Sequence, residues 1–246
     1  MPSHDPPARN IGRERDPALL DDLRRRVHAL EGPQASAGAV SLARELDTHL
    51  PWGGLAKGAL HEILAVDAGP ATLFAAAAAR TASCGTTLWC QRSRALDAGF
   101  LYPAGLAAVG FDPRRLILVS ARTDADALWA MEEGLRARVT VVGELDEASL
   151  TATRRLALAA EAGGALALLL RLDEKSPAPG AAATRWRVSS APSHDGAVRL
   201  RAELFRCRGA EPGTWLMEWQ DETHRLAMVA ALHDRAADPY PARLAG

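Results

Sequence analysis

The 246-residue sequence predicts an α/β protein, a mostly parallel sheet flanked by helices with antiparallel strands added at the C-terminal side. Three observations carry this expectation. From Ala59 onward, short β-rich runs alternate with Ala-rich helical stretches, the pattern of a sheet covered on both faces. The connections are short enough for strand–helix–strand crossovers. After Leu172 the alternation gives way to long runs in which every second residue is apolar.

Each element follows from its residues. The Pro-rich start lacks an apolar stretch. Asp16 and Pro17 then open a helix on which Leu20, Leu23, Val27 and Leu30 recur at three- and four-residue steps, and Gly32 and Pro33 close it. That helix either packs on its own domain or acts as an arm whose Leu23, Val27 and Leu30 contact a partner. Strands are expected near Leu60–Val66, Thr86–Gln91, Leu116–Ser120, Val139–Val142 and Ala165–Leu170. Helices are expected between them, near Pro70–Ser83, Leu101–Val109, Asp124–Ala137 and Leu150–Ala162. Asp173–Ala183 is a Pro, Ala and Gly loop. Thr184–Ala191, Val198–Arg208 and Thr214–Trp219 read as antiparallel edge strands, followed by a short helix over His224–His233. The organisation expected is a disordered lead and helix over 1–36, a core domain over 37–220, and a short helix and tail over 221–246.

Composition narrows the function. With 48% hydrophobic and 24% charged residues and a net charge of −1, the chain is neither a disordered tail nor a charge-driven nucleic-acid arm. Cys84, Cys90 and Cys207 are odd in number and lack C-x-x-C spacing, so disulfides are not expected and the expected compartment is the cytoplasm. No run approaches the ~20 apolar residues that cross a bilayer, so no membrane association is expected. There is no G-x-S-x-G elbow and no H-E-x-x-H pair, which removes the common hydrolase and zincin chemistries.

An α/β sheet invites a phosphate-site hypothesis at the turn after its first long strand. A working P-loop, G-x-x-x-x-G-K-[ST], cradles phosphates with backbone N–H groups, neutralises them with Lys and holds magnesium with its hydroxyl. Here the turn runs Ala65, Val66, Asp67, Ala68, Gly69, Pro70, Ala71, Thr72. Pro70 in the lysine's place removes a cation and an N–H donor, Ala71 lacks a hydroxyl, and Asp67 adds negative charge. The turn therefore reads as a degenerate P-loop, an ordinary strand-to-helix connection with Pro at its first helical position, and no cofactor is expected.

Two longer stretches carry a resemblance. Leu50–Ile63 (LPWGGLAKGALHEI) resembles the segment leading into the P-loop of RecA recombinases, and Trp89–Asp97 (WCQRSRALD) resembles the RecA stretch ending in H-A-L-D. The resemblance implies a RecA-like fold in which Ser93 stands where RecA holds its catalytic glutamate. It also puts Gly143 where the Walker B aspartate would be, with the neighbouring Glu144 on the other face of the strand. Lysine, hydroxyl, general base and metal-side carboxylate are all lost, so the enzyme class is not expected. The loop after the fifth strand would match a DNA-binding loop of RecA, which makes Arg171, Lys175, Arg185 and Arg187 candidate DNA contacts. From Arg171 to Arg208 eight basic residues face four acidic ones, a surplus that either supports weak backbone contact or is a solvated face.

The sequence is also similar to the ImuA family, bacterial RecA-like proteins of the DNA-damage response. The similarity runs from about Leu42 to Trp219 and is most specific in Asp124–Leu135 (DADALWAMEEGL), with Leu101–Leu106, Thr184–Val188 and Arg206–Gly209 beside it. It implies a non-catalytic adaptor of SOS-induced error-prone translesion synthesis. The partners implied are an ImuB-like Y-family polymerase homologue, RecA and the error-prone replicative-type polymerase, with weak or indirect DNA contact. Two other roles stay open, a residual ATP-binding recombinase modulator and a SulA-type cell-division inhibitor. On the Asp124–Leu135 helix, Leu128, Met131 and Leu135 share one face that packs on the sheet, leaving Trp129 as the candidate partner anchor. Trp89, Trp186, Trp215 and Trp219 read as core, His61 as buried and hydrogen-bonded, and Glu62 as sitting at a solvent edge.

Overall fold

A computed structural model of the chain describes residues 38–82, 85–92, 101–172, 179–193 and 196–232. Ala39–Val40 (β1) and Leu55–Ala56 (β2) pair as a two-stranded ribbon with the helix Arg44–His49 (α1) between them in sequence. The main sheet is built from Ala59–Ala65 (β3), Thr87–Arg92 (β4), Leu116–Ala121 (β5), Thr140–Glu144 (β6), Leu166–Arg171 (β7), Thr184–Ser190 (β8), Arg199–Cys207 (β9), Gly213–Gln220 (β10) and Arg225–Leu232 (β11). Its strands lie in the order β11-β10-β9-β8-β3-β7-β6-β4-β5. Helices Ala68–Ala82 (α2), Pro103–Ala108 (α3), Asp124–Arg136 (α4) and Leu150–Gly163 (α5) alternate with the parallel strands.

The helices begin and end where local chemistry allows. The Thr123 hydroxyl accepts from Asp126 N before α4, and the Ser149 hydroxyl accepts from Ala152 N before α5, each satisfying an otherwise orphaned donor. Gly164, in the left-handed region at φ 62°, stops α5. Helix α2 starts at Ala68, two residues earlier than expected, so Pro70 is its third residue. It remains within the first turn, where a missing N–H breaks no intrahelical bond.

Two apolar layers sandwich the sheet. On one side α2 buries its alanines and Phe74 against Ile63, Trp89, Val142, Leu168, Leu170 and Trp186. On the other, Ala127, Met131 and Leu135 of α4 and Leu156 and Ala160 of α5 cover Leu60, Cys90, Val141, Ala167 and Leu169. Phe74, Trp186 and Trp215 stack in a row, with ring centroids 5.5 and 5.9 Å apart. Trp89, Trp186, Trp215 and Trp219 are all buried.

Two expectations for the C-terminal half need correction. Strand β8 is not antiparallel on both sides. It pairs parallel to β3 and antiparallel to β9, because the chain reaches it from β7 by a long excursion rather than a hairpin. The helix expected over His224–His233 is the strand β11. Its Ala, Met and Leu residues favour helix locally, but the turn Asp221–His224, with His224 at φ 51°, returns the chain alongside β10, and ladder pairing overrides propensity. The sheet therefore extends to Leu232, past the expected boundary at 220.

His61 ties β3 to its surroundings through a polar relay. Trp186 Nε1 donates to Thr184 Oγ1 at 2.7 Å, the Thr184 hydroxyl lies 2.7 Å from His61 Nδ1, and His61 Nε2 lies 2.9 Å from the Ala56 carbonyl oxygen. With Nε2 donating and Nδ1 accepting, every group in the relay is satisfied by a neutral imidazole. Burial lowers the His61 pKa to about 4, outweighing the Ala56 carbonyl, which raises it. The unfolded chain then binds a proton between pH ~6.5 and 4 that the folded chain refuses, so stability falls as pH drops through that window. Denaturant midpoints at pH 7 and pH 4.5 should show this loss in the wild type, and the loss should be smaller in His61→Gln.

Candidate functional site

The rim formed by the carboxyl ends of the parallel strands is where α/β sheets place their ligands. On the α2 side of this rim the turn from β3 contains only Val66 and Asp67. Val66 N donates to the Val188 carbonyl oxygen at 2.9 Å. The Asp67 carboxylate accepts from Ser190 N at 2.7 Å and from the Ser190 hydroxyl at 2.6 Å. A phosphate brought to the start of α2 would thus meet a carboxylate and a turn whose first donor is already committed to β8. Gly69, Pro70, Ala71 and Thr72 all lie within the helix.

The next feature on this side is Glu144, at the end of β6. It is buried and its Oε1 accepts from Trp89 Nε1 at 3.2 Å. Burial pushes its carboxyl above the usual range; the Trp89 bond opposes this and the charge of Asp146 adds to it. Gly143 faces the opposite way. A Cβ built there would lie 2.2 Å from Met131 Sδ, so this glycine admits the α4 side chain that fills the space. Glu144, and not residue 143, is the β6 side chain on the α2 face.

On the α4–α5 face a chain of charges crosses five strands. Arg92, at the end of β4, reaches Asp124 at 3.0 Å and Asp146 at 3.2 Å. Asp124 also accepts from the backbone N–H groups of Asp146 and Glu147, both at 3.3 Å. Arg171, at the end of β7, donates from Nη2 to the Asp146 carbonyl at 3.1 Å and lies 3.3 Å from Glu62 of β3. Arg185 of β8 completes the run, its Nε 2.5 Å from Glu62 Oε2. Glu62 is 1% exposed, Arg171 3% and Arg185 4%, so this Arg–Glu–Arg triad sits inside the protein. Glu62 is therefore no solvent-edge residue. It is the shared counter-ion of two buried guanidinium groups, and Gly180 lies over it.

The remaining sequence-singled residues fall as follows. Arg171 and Arg185 carry their charge into the interior, away from a surface where phosphate would meet it. Arg187 is half-exposed and pairs with Glu203 at 2.9 Å, and together with Arg185 it lies over the Phe205 ring. Arg199 pairs with Glu218 at 2.7 Å, so much of the local basic surplus is spent on internal pairs. Trp129 is 64% exposed, while Leu128, Met131 and Leu135 of the same helix pack inward. Glu132 of the same helix is buried and lies beside Arg155 of α5 at 2.8 Å. Leu23, Val27, Leu30, Ser93 and Lys175 lie outside the described residues. Among the described residues no group of three or more His, Cys, Asp or Glu could hold a metal ion. No helix of the described residues is long and apolar enough to cross a membrane.

The triad was not evident from the sequence. Its signal was a carboxylate at the centre of a buried strand, ALHEILA, whose other residues are apolar apart from His61, flanked by strands that carry Arg at positions of the same face.

Two proteins are similar to the chain over most of its length. Protein ImuA of Caulobacter vibrioides strain NA1000 / CB15N is 33% identical over 223 residues, which cover 78% of this chain and 89% of that protein. Protein ImuA of strain ATCC 19089 / CIP 103742 / CB 15 matches to the same extent. The chain belongs to the ImuA family. No protein-family model matches it. Of the stretches by which it resembles ImuA proteins, Asp124–Leu135 supplies both the exposed Trp129 and the Asp124 that closes the rim beside Arg92. Leu50–Ile63 of this ImuA-family chain forms β2 and most of β3, bringing Glu62 and His61 into the sheet.

Proposed function

We propose that the chain is a non-catalytic RecA-like adaptor of SOS-induced error-prone translesion synthesis. It binds an ImuB-like Y-family polymerase homologue and acts alongside RecA and the error-prone replicative-type polymerase. Family membership supports the setting. The single observation that supports the non-catalytic part is the closed turn between β3 and α2, where Asp67 is clamped to Ser190 and occupies the mouth of any phosphate site. Titration with a fluorescent ATP analogue tests this directly. The expected result is no magnesium-dependent binding through the micromolar range, and saturable binding there would refute it.

The adaptor part rests on Trp129, a large exposed side chain on a helix held rigidly by the sheet. Trp129→Ala is expected to weaken capture of the ImuB-like partner by about 30-fold, or about 2 kcal/mol, as a buried interface anchor would. Its melting temperature should stay that of the wild type, since the ring contributes little to the core. Truncations that test the C-terminal tail should remove 233–246 and spare Arg225–Leu232, which belongs to the sheet.

A further inference from the structure

Two arginines meet at the end of α2 farthest from the degenerate P-loop. Arg80 stands in the last turn of that helix, and Arg225 opens β11. With Ser41, Leu42, Ala77 and Thr81 they line a cavity of about 40 Å³, above the ~10–15 Å³ that admits a single water. Arg80 donates from Nη2 to the His224 carbonyl oxygen, while its Nε–H is buried with no hydrogen-bond partner among the described residues. No carboxylate of the described residues forms an ion pair with either guanidinium. Asp47, which borders the neighbouring cleft, accepts instead from the Ser41 hydroxyl at 2.6 Å and from Leu42 N at 3.0 Å. Burial, and after it the charge of Arg225, holds the Arg80 guanidinium below the usual arginine range, so the two like charges oppose each other. A cation in the last turn of α2 offsets the partial negative charge of the helix end. That accounts for one arginine and not for a second beside it.

Two guanidinium groups without a counter-ion at a small cavity are the donors that a phosphate group takes. Ser41, Leu42, Arg225 and Leu226 also border an open cleft of about 900 Å³ between β11 and α1, so cavity and cleft adjoin. None of the described residues around the cleft is aromatic, which leaves a nucleobase nothing to stack on. Thr48, Gln220 and Thr223 instead offer hydroxyl and carboxamide groups to a polyol. We infer that Arg80 and Arg225 clamp one phosphate group in this cavity, and that the ligand is a small phosphomonoester of the sugar-phosphate class whose hydroxylated body lies in the cleft. Arg80 is twelve residues, or about 18 Å, along α2 from Ala68, so this site is no remnant of the closed β3–α2 turn. The inference stands without the adaptor reading.

Calorimetric titration of the full chain with ribose 5-phosphate, at an ionic strength fixed by chloride, is expected to show saturable binding. Ribose should not bind, and inorganic phosphate should bind more weakly than the ester. Arg225→Gln should weaken ribose 5-phosphate by about tenfold or more, the loss of one charged hydrogen-bond donor. Arg114→Gln, an exposed arginine elsewhere, should leave the affinity unchanged. Without ligand, Arg225→Gln should melt no lower than the wild type, because one of two opposing charges is gone. Under saturating ester the wild type should melt higher than the variant. Absence of saturable binding overturns the inference, as does binding that Arg225→Gln leaves intact or that ribose matches. Inorganic phosphate as tight as the ester overturns the part played by the cleft, and binding of a single-stranded oligonucleotide alone overturns the small ligand. A variant that melts well below the wild type without ligand would make Arg225 a structural residue and overturn the clamp. Should Arg225→Gln fail to fold, the wild-type titrations decide alone.

Discussion

Glu62→Ala is expected to lose about 3–5 kcal/mol of stability, seen as a fall of about 2 M in the urea midpoint for a slope near 2 kcal/mol/M. Glu62 lies between Arg171 and Arg185 with all three side chains inside the protein. Removing the carboxylate takes away the counter-ion that the two buried guanidinium groups share. The intact triad is a different matter. Desolvating three ions costs about what their attraction returns, so exchanging all three for apolar residues of similar volume should restore most of the loss. Glu62→Ala is thus the discriminating variant and the triple exchange its control. A wild-type midpoint for Glu62→Ala would mean that the two arginines do not depend on Glu62 and would overturn the buried network. The network also spans β4 to β8 and holds the loop after β6 through Arg92 and Arg171. Glu62→Ala should therefore loosen that loop before the whole sheet unfolds, detectable as faster amide exchange over Leu145–Ser149.

The parallel core was legible because its signals are local and redundant. Apolar runs such as LALLLR, Ala-rich helices and caps at Thr123 and Ser149 all specify the same elements, and the structure places them within a few residues of expectation. What was illegible depended on partners distant in sequence. RLAMVAAL reads as helix until β10 is known to lie beside it. Glu62 reads as an edge residue until β7 and β8 bring arginines from 109 and 123 positions away. The basic surplus after Arg171 looked like surface charge for the same reason: a residue count does not reveal that Glu62, Glu203 and Glu218 neutralise it from other strands. At β6 the alternation of faces was foreseen. Which face belongs to α2 was not, because it depends on how the helices on either side pack.

Gly143→Asp, which puts a carboxylate at the β6 position that the RecA resemblance matches to the Walker B aspartate, is expected to cost about 4 kcal/mol or more, the range of severe core lesions. Two effects add. Any Cβ at 143 collides with Met131 at 2.2 Å, an overpacking that costs about 1–3 kcal/mol. The carboxylate beyond it enters the layer of Met131, Leu135 and Val141, where burial penalises its charge. Most native domains hold only ~5–15 kcal/mol in total, so reduced soluble yield at 37 °C and a lowered melting temperature are the direct measurements. Adding Met131→Ala removes the collision, and the double variant should be less destabilised than the sum of the singles by about 1–3 kcal/mol. An additive result would show that Met131 does not fill the space above Gly143. ATP turnover should not appear in either variant, because residue 143 points to α4, across the sheet from α2. The carboxylate already on the α2 side, Glu144, is held by Trp89 in the buried core. A substitution on β6 therefore leaves the turn between β3 and α2, with its Asp67–Ser190 clamp, unchanged.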